Sequence, residues 1–285
     1  MRVLARRGEP PEPLVVARGV LLRTPGPPVV GEVGHATRLG NTRAPAVVDL
    51  RVKVEIWSDV VCPWCAVGKH RFEKALARFE HRDQVEVSYH SFELDPGAPR
   101  ELEGGDLHDH LAAKYGMTRA EAEAKHRQMT ELAAEDGWEF HFDRARRGNT
   151  FDAHRLLHLA AERGVQEAVK ERFFRGYFTE GEPIADHDTL VRLAAEAGLD
   201  ADEARAVLAS DRYADAVRAD ERQAAAYGIT AVPFFVVDRT YGVAGAQPPD
   251  ALLQVLEKAW AEAHPLQVVT PAGGVDGCAD GTCGV

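Results

Sequence analysis

At 285 residues the chain has room for one large domain or two small ones, and its 45% hydrophobic content is enough for a substantial core. A formal net charge of −11 argues against nucleic acid or an anionic membrane surface as the main partner. No apolar run reaches the length needed to span a bilayer, so a soluble protein is expected.

Residues 1–51 stand apart from the rest. They carry eight arginines and no lysine against four acidic residues, and they hold seven of the 16 prolines (Pro10, Pro11, Pro13, Pro25, Pro27, Pro28 and Pro45). Such proline density discourages both helix and central strand. The basic start Met1-Arg2-Val3-Leu4-Ala5-Arg6-Arg7 is not followed by the ~7–15 apolar residues of an export signal, because Pro13, Arg18 and Arg23 interrupt. The segment reads as a disordered leader or upstream extension, and the folded part begins near Val52. Without an export signal the expected compartment is the reducing cytoplasm, where cysteines serve catalysis or redox sensing rather than stapling.

Val52-Lys53-Val54-Glu55-Ile56-Trp57-Ser58 alternates in the manner of a β-strand, and the stretch through Phe72, Leu76 and Phe79 repeats at helical spacing. Between them lies Cys62-Pro63-Trp64-Cys65, two thiols one helical turn apart at a strand-to-helix junction, the pattern of a thiol–disulfide redox site. A helix N-terminus favours the thiolate. Cys62 is the expected nucleophile and Cys65, one turn inside, the resolving thiol. Pro63 suits the first helical position, where its missing N–H costs nothing. Half of a zinc site and inert packing cysteines are the competing readings.

Val85–Phe92 alternates again and predicts a second strand, and Asp95-Pro96-Gly97-Ala98-Pro99 predicts a loop. From about Leu107 to Tyr227 the pattern is helical and alanine-rich, with helices expected over 107–135, 151–163, 165–179, 187–197, 200–208 and 211–227. Asn149-Thr150 and Asp186 are candidate N-cap regions, and Gly164 and Gly198 candidate stops. His154 and His158 have the i, i+4 spacing of a metal pair, but no H-E-x-x-H glutamate accompanies them, and a packing role is expected. Trp138 and Phe140 are expected to pack the helical region, or to wall a peptide site. Strand character returns at Pro233–Val237, a turn follows at Asp238-Arg239-Thr240, and Tyr241–Gly245 is the returning strand. Pro248-Pro249 opens a last helix to about Ala263. The order is β-α-β, a block of helices, then β-β-α: a small α/β core with a helical insertion.

Three separated motifs then converge: Cys62-Pro63-Trp64-Cys65, Asn149-Thr150-Phe151-Asp152-Ala153-His154-Arg155-Leu156, and Gly228-Ile229-Thr230-Ala231-Val232-Pro233-Phe234-Phe235. Tyr241-Gly242-Val243-Ala244-Gly245-Ala246-Gln247-Pro248 strengthens the match. From about 52 to 263 the chain resembles DsbA-like oxidoreductases of the FrnE type. That resemblance implies an α/β thioredoxin fold with a helical domain inserted between its β-α-β and β-β-α halves. The expected divisions are 52–100 with 228–263 for the thioredoxin-like domain, 101–227 for the insertion and 264–285 for a flexible tail. It implies a cis-proline at Pro233 facing the dithiol, with the backbone of Val232 free for an extended substrate. Asn149 and Thr150 either line that groove or cap the helix that follows. Well-known periplasmic members carry histidine where this chain has Trp64. Indole offers only an N–H donor where imidazole stabilises a thiolate, so a less oxidising disulfide is expected here.

The reading that follows is a cytoplasmic dithiol–disulfide oxidoreductase acting on disulfide- or thiol-containing proteins or small molecules. It needs no metal or organic cofactor, and glutathione is a candidate co-substrate. A glutathione-dependent isomerase or transferase of the 2-hydroxychromene-2-carboxylate isomerase and kappa-class group is the nearest rival, though it requires no second cysteine. A non-catalytic peptide-binding holdase is the rival from another class. Cys278 and Cys283, in the glycine-rich tail, read either as an accessory redox pair or as a loose disulfide or soft-metal tail. The thirteen-residue stretch before Cys278 has an r.m.s. reach of about 20 Å if flexible, enough to approach Cys62.

Overall fold

A computed structural model describes residues 51–100 and 106–265. The expected leader lies outside the described residues apart from Arg51, as do Cys278 and Cys283.

Four strands form one sheet in the order β2-β1-β3-β4: β1 Val52–Ser58, β2 Val85–Ser91, β3 Phe234–Val237 and β4 Tyr241–Ala244. β1 runs parallel to β2, with Val52 opposite Val85 and Ser58 opposite Ser91. It runs antiparallel to β3, with Val54 opposite Val237 and Trp57 opposite Phe234. The β3–β4 hairpin turns through the three residues Asp238, Arg239 and Thr240, with Asp238 and Arg239 at positive φ and Thr240 N–H donating to the Val237 carbonyl at 2.9 Å.

Helix α1 (Pro63–Arg78) connects β1 to β2, and helix α9 (Pro249–Ala263) follows β4. Both lie on one face of the sheet. Phe72, Ala75 and Phe79 from α1 and Leu252, Leu256 and Ala259 from α9 pack there against Val52, Val54, Ile56, Phe235 and Val237. The alternation of β1 describes only this face. The other face is also covered, so β1 is buried nearly throughout. Trp57 donates its indole N–H to the Asp220 carbonyl at 3.0 Å and stacks on His90, while Glu55 is held by Arg239 at 3.0 Å. A central strand with layers on both faces is buried on both faces.

That second layer is the helical insertion: α2 (Leu107–Tyr115), α3 (Arg119–Glu135), α4 (Phe151–Glu162), α5 (Gln166–Arg175), α6 (His187–Glu196), α7 (Ala201–Leu208) and α8 (Ala214–Ala226). The fold is thus mixed α/β, with the helices placed between the two strand-bearing halves. The single helix expected over 107–135 is two. Gly116 ends α2 at φ +66, and Thr118 starts α3 with a capping box, accepting from Glu121 N–H while the Glu121 carboxylate accepts from Thr118 N–H. The helix expected to reach 179 ends at Arg175 and continues as a π-helical turn, Gly176–Glu180. Asp186 caps α6, and Asp200 caps α7.

One core cluster joins the halves. Trp57, Cys62, Cys65 and Val67 share it with Trp138, Leu156, Phe173, Phe174 and Phe178. Trp138 and Phe140 are buried in this cluster, and the Trp138 indole N–H donates to the Ala66 carbonyl at 3.0 Å. Among the described residues no helix is long and apolar enough to cross a membrane.

Candidate active site

Cys62 is the N-cap residue of α1, with extended backbone (φ −92, ψ 112) and Pro63 next in the first turn. Its carbonyl accepts from Cys65 N–H at 3.0 Å and from Ala66 N–H at 3.3 Å, the first bonds of the helix. Its side chain makes no cap bond to the helix. The thiol instead donates to the carbonyl of Val232 at 3.6 Å, across 170 positions of sequence.

The Val232–Pro233 peptide is cis, and both residues are buried where the chain enters β3. Gly68, one turn beyond Cys65, lets α1 approach this loop. A Cβ at that position would stand 2.9 Å from Pro233 Cγ. Both cysteines are free thiols and nearly buried, Cys62 at 4% and Cys65 at 2% exposure. The two therefore differ in partners rather than in exposure. Trp64, 44% exposed, is the large apolar side chain presented at the site, with Leu94 at 37% nearby in the loop after β2.

Burial pushes the Cys65 thiol well above its ordinary range, and the hydrogen bond and charge of Cys62 push the same way. The Asp59 backbone and the charge of Lys170 oppose them.

The resemblance did not point to the groups behind the dithiol. Asp59, in the loop from β1 to α1, is fully buried. Its Oδ2 accepts from Leu94 N–H at 2.8 Å, and its Oδ1 stands 3.3 Å from His154 Nε2 on α4. The Asp59 carbonyl accepts from Cys62 N–H at 3.2 Å, so one residue ties the post-β2 loop, the insertion and the helix start together. Tyr177, in the π-helical turn, is buried, and burial with the Asp59 charge raises its phenol. Lys170, on α5, is 1% exposed. The spacing of Asp59, three residues before Cys62, was the one local signal available for this cluster.

His158 does not share the destination of His154. Its Nε2 lies 3.1 Å from Ser91 Oγ and 3.1 Å from Asp220 Oδ2. The two histidines, though matched in spacing, serve separate hydrogen-bond networks. No group of three or more His, Cys, Asp or Glu fit to hold a metal ion occurs among the described residues.

Asn149 and Thr150 are buried at 7% and 3% exposure. Asn149 Oδ1 accepts from Phe151 N–H at 2.9 Å, and its amide donates to Glu93 at 3.1 Å. Thr150 is the N-cap of α4 by position, without a side-chain cap bond.

The sequence profile of the DSBA-like thioredoxin domain matches residues 53–257. The chain belongs to the DsbA-like family. Protein YwbO of Bacillus subtilis (strain 168), described as uncharacterized, is 32% identical over 212 residues, which are 74% of this chain and 96% of that one. The crystal structure of a probable DsbA oxidoreductase from Streptomyces coelicolor is 52% identical. It superposes with a TM-score of 0.72, covering 80% of this chain and 99% of the other. A cytosolic disulfide reductase, DsbM of Pseudomonas aeruginosa with GSH, shares the fold at 19% identity and a TM-score of 0.52, over 72% and 98% of the two chains. Within the DsbA-like fold of this chain, α1 therefore carries the Cys-Pro-Trp-Cys segment at its N-terminus and the Val232–Pro233 loop faces it.

Proposed function

We propose that this protein is a cytoplasmic dithiol–disulfide oxidoreductase that exchanges disulfides with proteins or small thiols through Cys62 and Cys65. The observation that carries the reading is the Cys62 thiol at the N-cap of α1, free of any capping role and directed at the Val232 carbonyl. Anions are favoured at that position by the unpaired N–H groups of the first turn.

In the reductive direction the Cys62 thiolate attacks one sulfur of a substrate disulfide. The Cys62–substrate bond forms, the substrate S–S bond breaks, and one substrate thiolate leaves and takes a proton from solvent. Cys65, having given its proton to solvent, then attacks the Cys62 sulfur, forming the Cys62–Cys65 disulfide and releasing the second substrate thiolate, which takes up a proton in turn. Two electrons pass from the dithiol to the substrate, and the oxidative direction is the reverse. The chemistry balances with two thiols alone. Pro63, Trp64 and the Val232–Pro233 loop that faces the dithiol are the proposed substrate-binding residues, with Asn149 and Thr150 as further candidates. Glutathione is the proposed small-molecule co-substrate, a reading supported by the DsbM neighbour solved with GSH. That neighbour's description as cytosolic supports the compartment.

The test is titration of the pure protein in glutathione redox buffers, with each cysteine mapped by thiol trapping and mass spectrometry. A reversible Cys62–Cys65 disulfide with its own midpoint is expected, and Cys65→Ser should accumulate a mixed disulfide on Cys62. A pair that never oxidises reversibly, with Cys62 only glutathionylated, defeats the reading in favour of glutathione-dependent chemistry.

A further inference from the structure

Lys170 is a buried cation without a seat. Its Nζ has no hydrogen-bond partner among the described residues, although the side chain is among the largest fully buried ones. The ammonium end lies over two ring faces, 5.1 Å from the centroid of Tyr89 and 5.3 Å from that of Phe174. Cation–π attraction of this kind is weak beside the cost of removing an ion from water. A lysine kept in such a place responds strongly to any charge that appears near it.

The surrounding elements supply such a charge. Phe174 meets the edge of Trp138, and Trp138 hydrogen-bonds the Ala66 carbonyl, directly after Cys65. Tyr89 pairs with Ile56 in the strand that leads into the dithiol. The charged and titratable groups acting on Lys170 are Cys65, Cys62 and Lys69 from α1 and Asp59 from the loop before it. Tyr89 faces it from β2, and His154 and Tyr177 stand behind Asp59. Asp59 accepts from Leu94 N–H and faces His154, and its charge also acts on Lys170. Cys65 is the group whose charge changes during the reaction.

We propose, resting on the dithiol reading above, that Lys170 of the helical insertion is the through-space countercharge of the Cys65 thiolate while the mixed disulfide on Cys62 is resolved. At rest both groups are protonated. Cys65 gives its proton to solvent, and the form with Lys170 charged and Cys65 ionised is the one that attacks. The Cys65–Cys62 bond then forms as the Cys62–substrate bond breaks, the substrate thiolate leaves and is protonated by solvent, and Lys170 releases its proton to solvent once Cys65 carries no charge. Burial lowers the Lys170 ammonium to about 8, which brings its proton within reach of neutral conditions, and Cys65 and Lys170 each move the other's ionisation. Lys170 touches no reacting atom in this scheme. It is a positioning residue acting through Cys65.

The experiment uses the full chain with Cys278→Ser and Cys283→Ser, so that only one dithiol reports. Reduced protein is mixed with glutathione disulfide, and release of the second glutathione is timed from pH 6 to 10. The wild-type rate should rise through an inflection near pH 8 and then level. Lys170→Met, close in volume and uncharged, should lose that inflection and slow resolution at pH 7.5 by about tenfold or more, since one nearby opposite charge shifts a thiol by one unit or more. Lys170→Arg keeps the charge and cannot release a proton, so it should recover most of the rate without the inflection. An unchanged profile in Lys170→Met overturns the proposal. Should that variant not fold, a wild-type profile without an inflection near pH 8 overturns it equally. Failure of the wild-type pair to close at all would instead strike the oxidoreductase reading.

Discussion

His154 and Asp59, 95 positions apart in the chain, meet with Nε2 3.3 Å from Oδ1, both side chains almost wholly buried. This contact fastens the insertion to the loop that delivers Cys62, and the same carboxylate holds Leu94 N–H. Asp59→Ala strands that buried N–H and removes the imidazole's partner, which should cost about 1–3 kcal/mol. Asp59→Asn keeps an acceptor for Leu94 and a donor for His154, so its loss should be clearly smaller. Urea denaturation of both variants checks this; equal losses would mean the hydrogen bonds are not what the site provides.

Gly68 is required by proximity rather than by its backbone. The added methyl of Gly68→Ala would fall 2.9 Å from Pro233 Cγ and 3.5 Å from Ala246 Cβ. A proline ring has little room to give, so α1 and the Val232–Pro233 loop must separate. Overpacking of this kind costs about 1–3 kcal/mol. The same separation pulls the Val232 carbonyl from Cys62, so exchange with glutathione disulfide should slow as well. A variant as stable and as fast as the parent would show that the loop yields freely.

Trp64 stands 44% exposed between the two cysteines. An imidazole in its place can hydrogen-bond or neutralise a thiolate, which favours the reduced pair. Trp64→His should therefore raise the midpoint, and the parent should lie below the ~−120 mV of a strongly oxidising periplasmic DsbA. A parent potential near that value, or no rise in the variant, contradicts the assignment of this position as the tuner.

His126 on α3 stacks on Phe142 with centroids 4.2 Å apart, and its Nδ1 lies 2.7 Å from His108 Nδ1 on α2. Burial, with His108 adding to it, lowers His126 to about 4. A histidine kept neutral in the fold binds its proton more readily once unfolded. Its contribution is complete above the unfolded value of ~6.5 and is lost as pH falls from there toward 4. Amide exchange of α2 and α3 should accelerate across that window, and His126→Phe should flatten the dependence. Exchange that is insensitive to pH after correction for the chemical rate would refute it.

The strands, the thiol pair and the proline loop were legible because each is written locally. Cys62-Pro63-Trp64-Cys65 sits where an alternating run gives way to a helical one, and Val232-Pro233 precedes an apolar run. The cluster behind the dithiol was not legible, because nothing near Lys170 in Gln166–Arg175 distinguishes it from the solvated charges around it. Its burial is decided by the β2 and α1 surfaces that α5 meets. His154 and His158 share one helix face by spacing, yet spacing on a helix fixes direction and not partner; the two diverge to Asp59 and Asp220. The break at Gly116 was hidden by alanine-rich, polar sequence on either side, which carries little periodicity to interrupt. The alternation of β1 told one face of a strand whose other face is closed by residues far along the chain.

The hydrogen bond from Cys62 to Val232 closes a span of 170 residues. Chains are synthesised at about 5–20 residues per second, so Val232 follows Cys62 by roughly 10–30 s. Throughout that interval β1, α1 and β2 have been synthesised without β3, and Cys62-Pro63-Trp64-Cys65 is present without the loop that faces it. The insertion thus acts as a delay line. Cys62 stands in the growing chain before the backbone that will meet it, and only completion of β3 brings the two together.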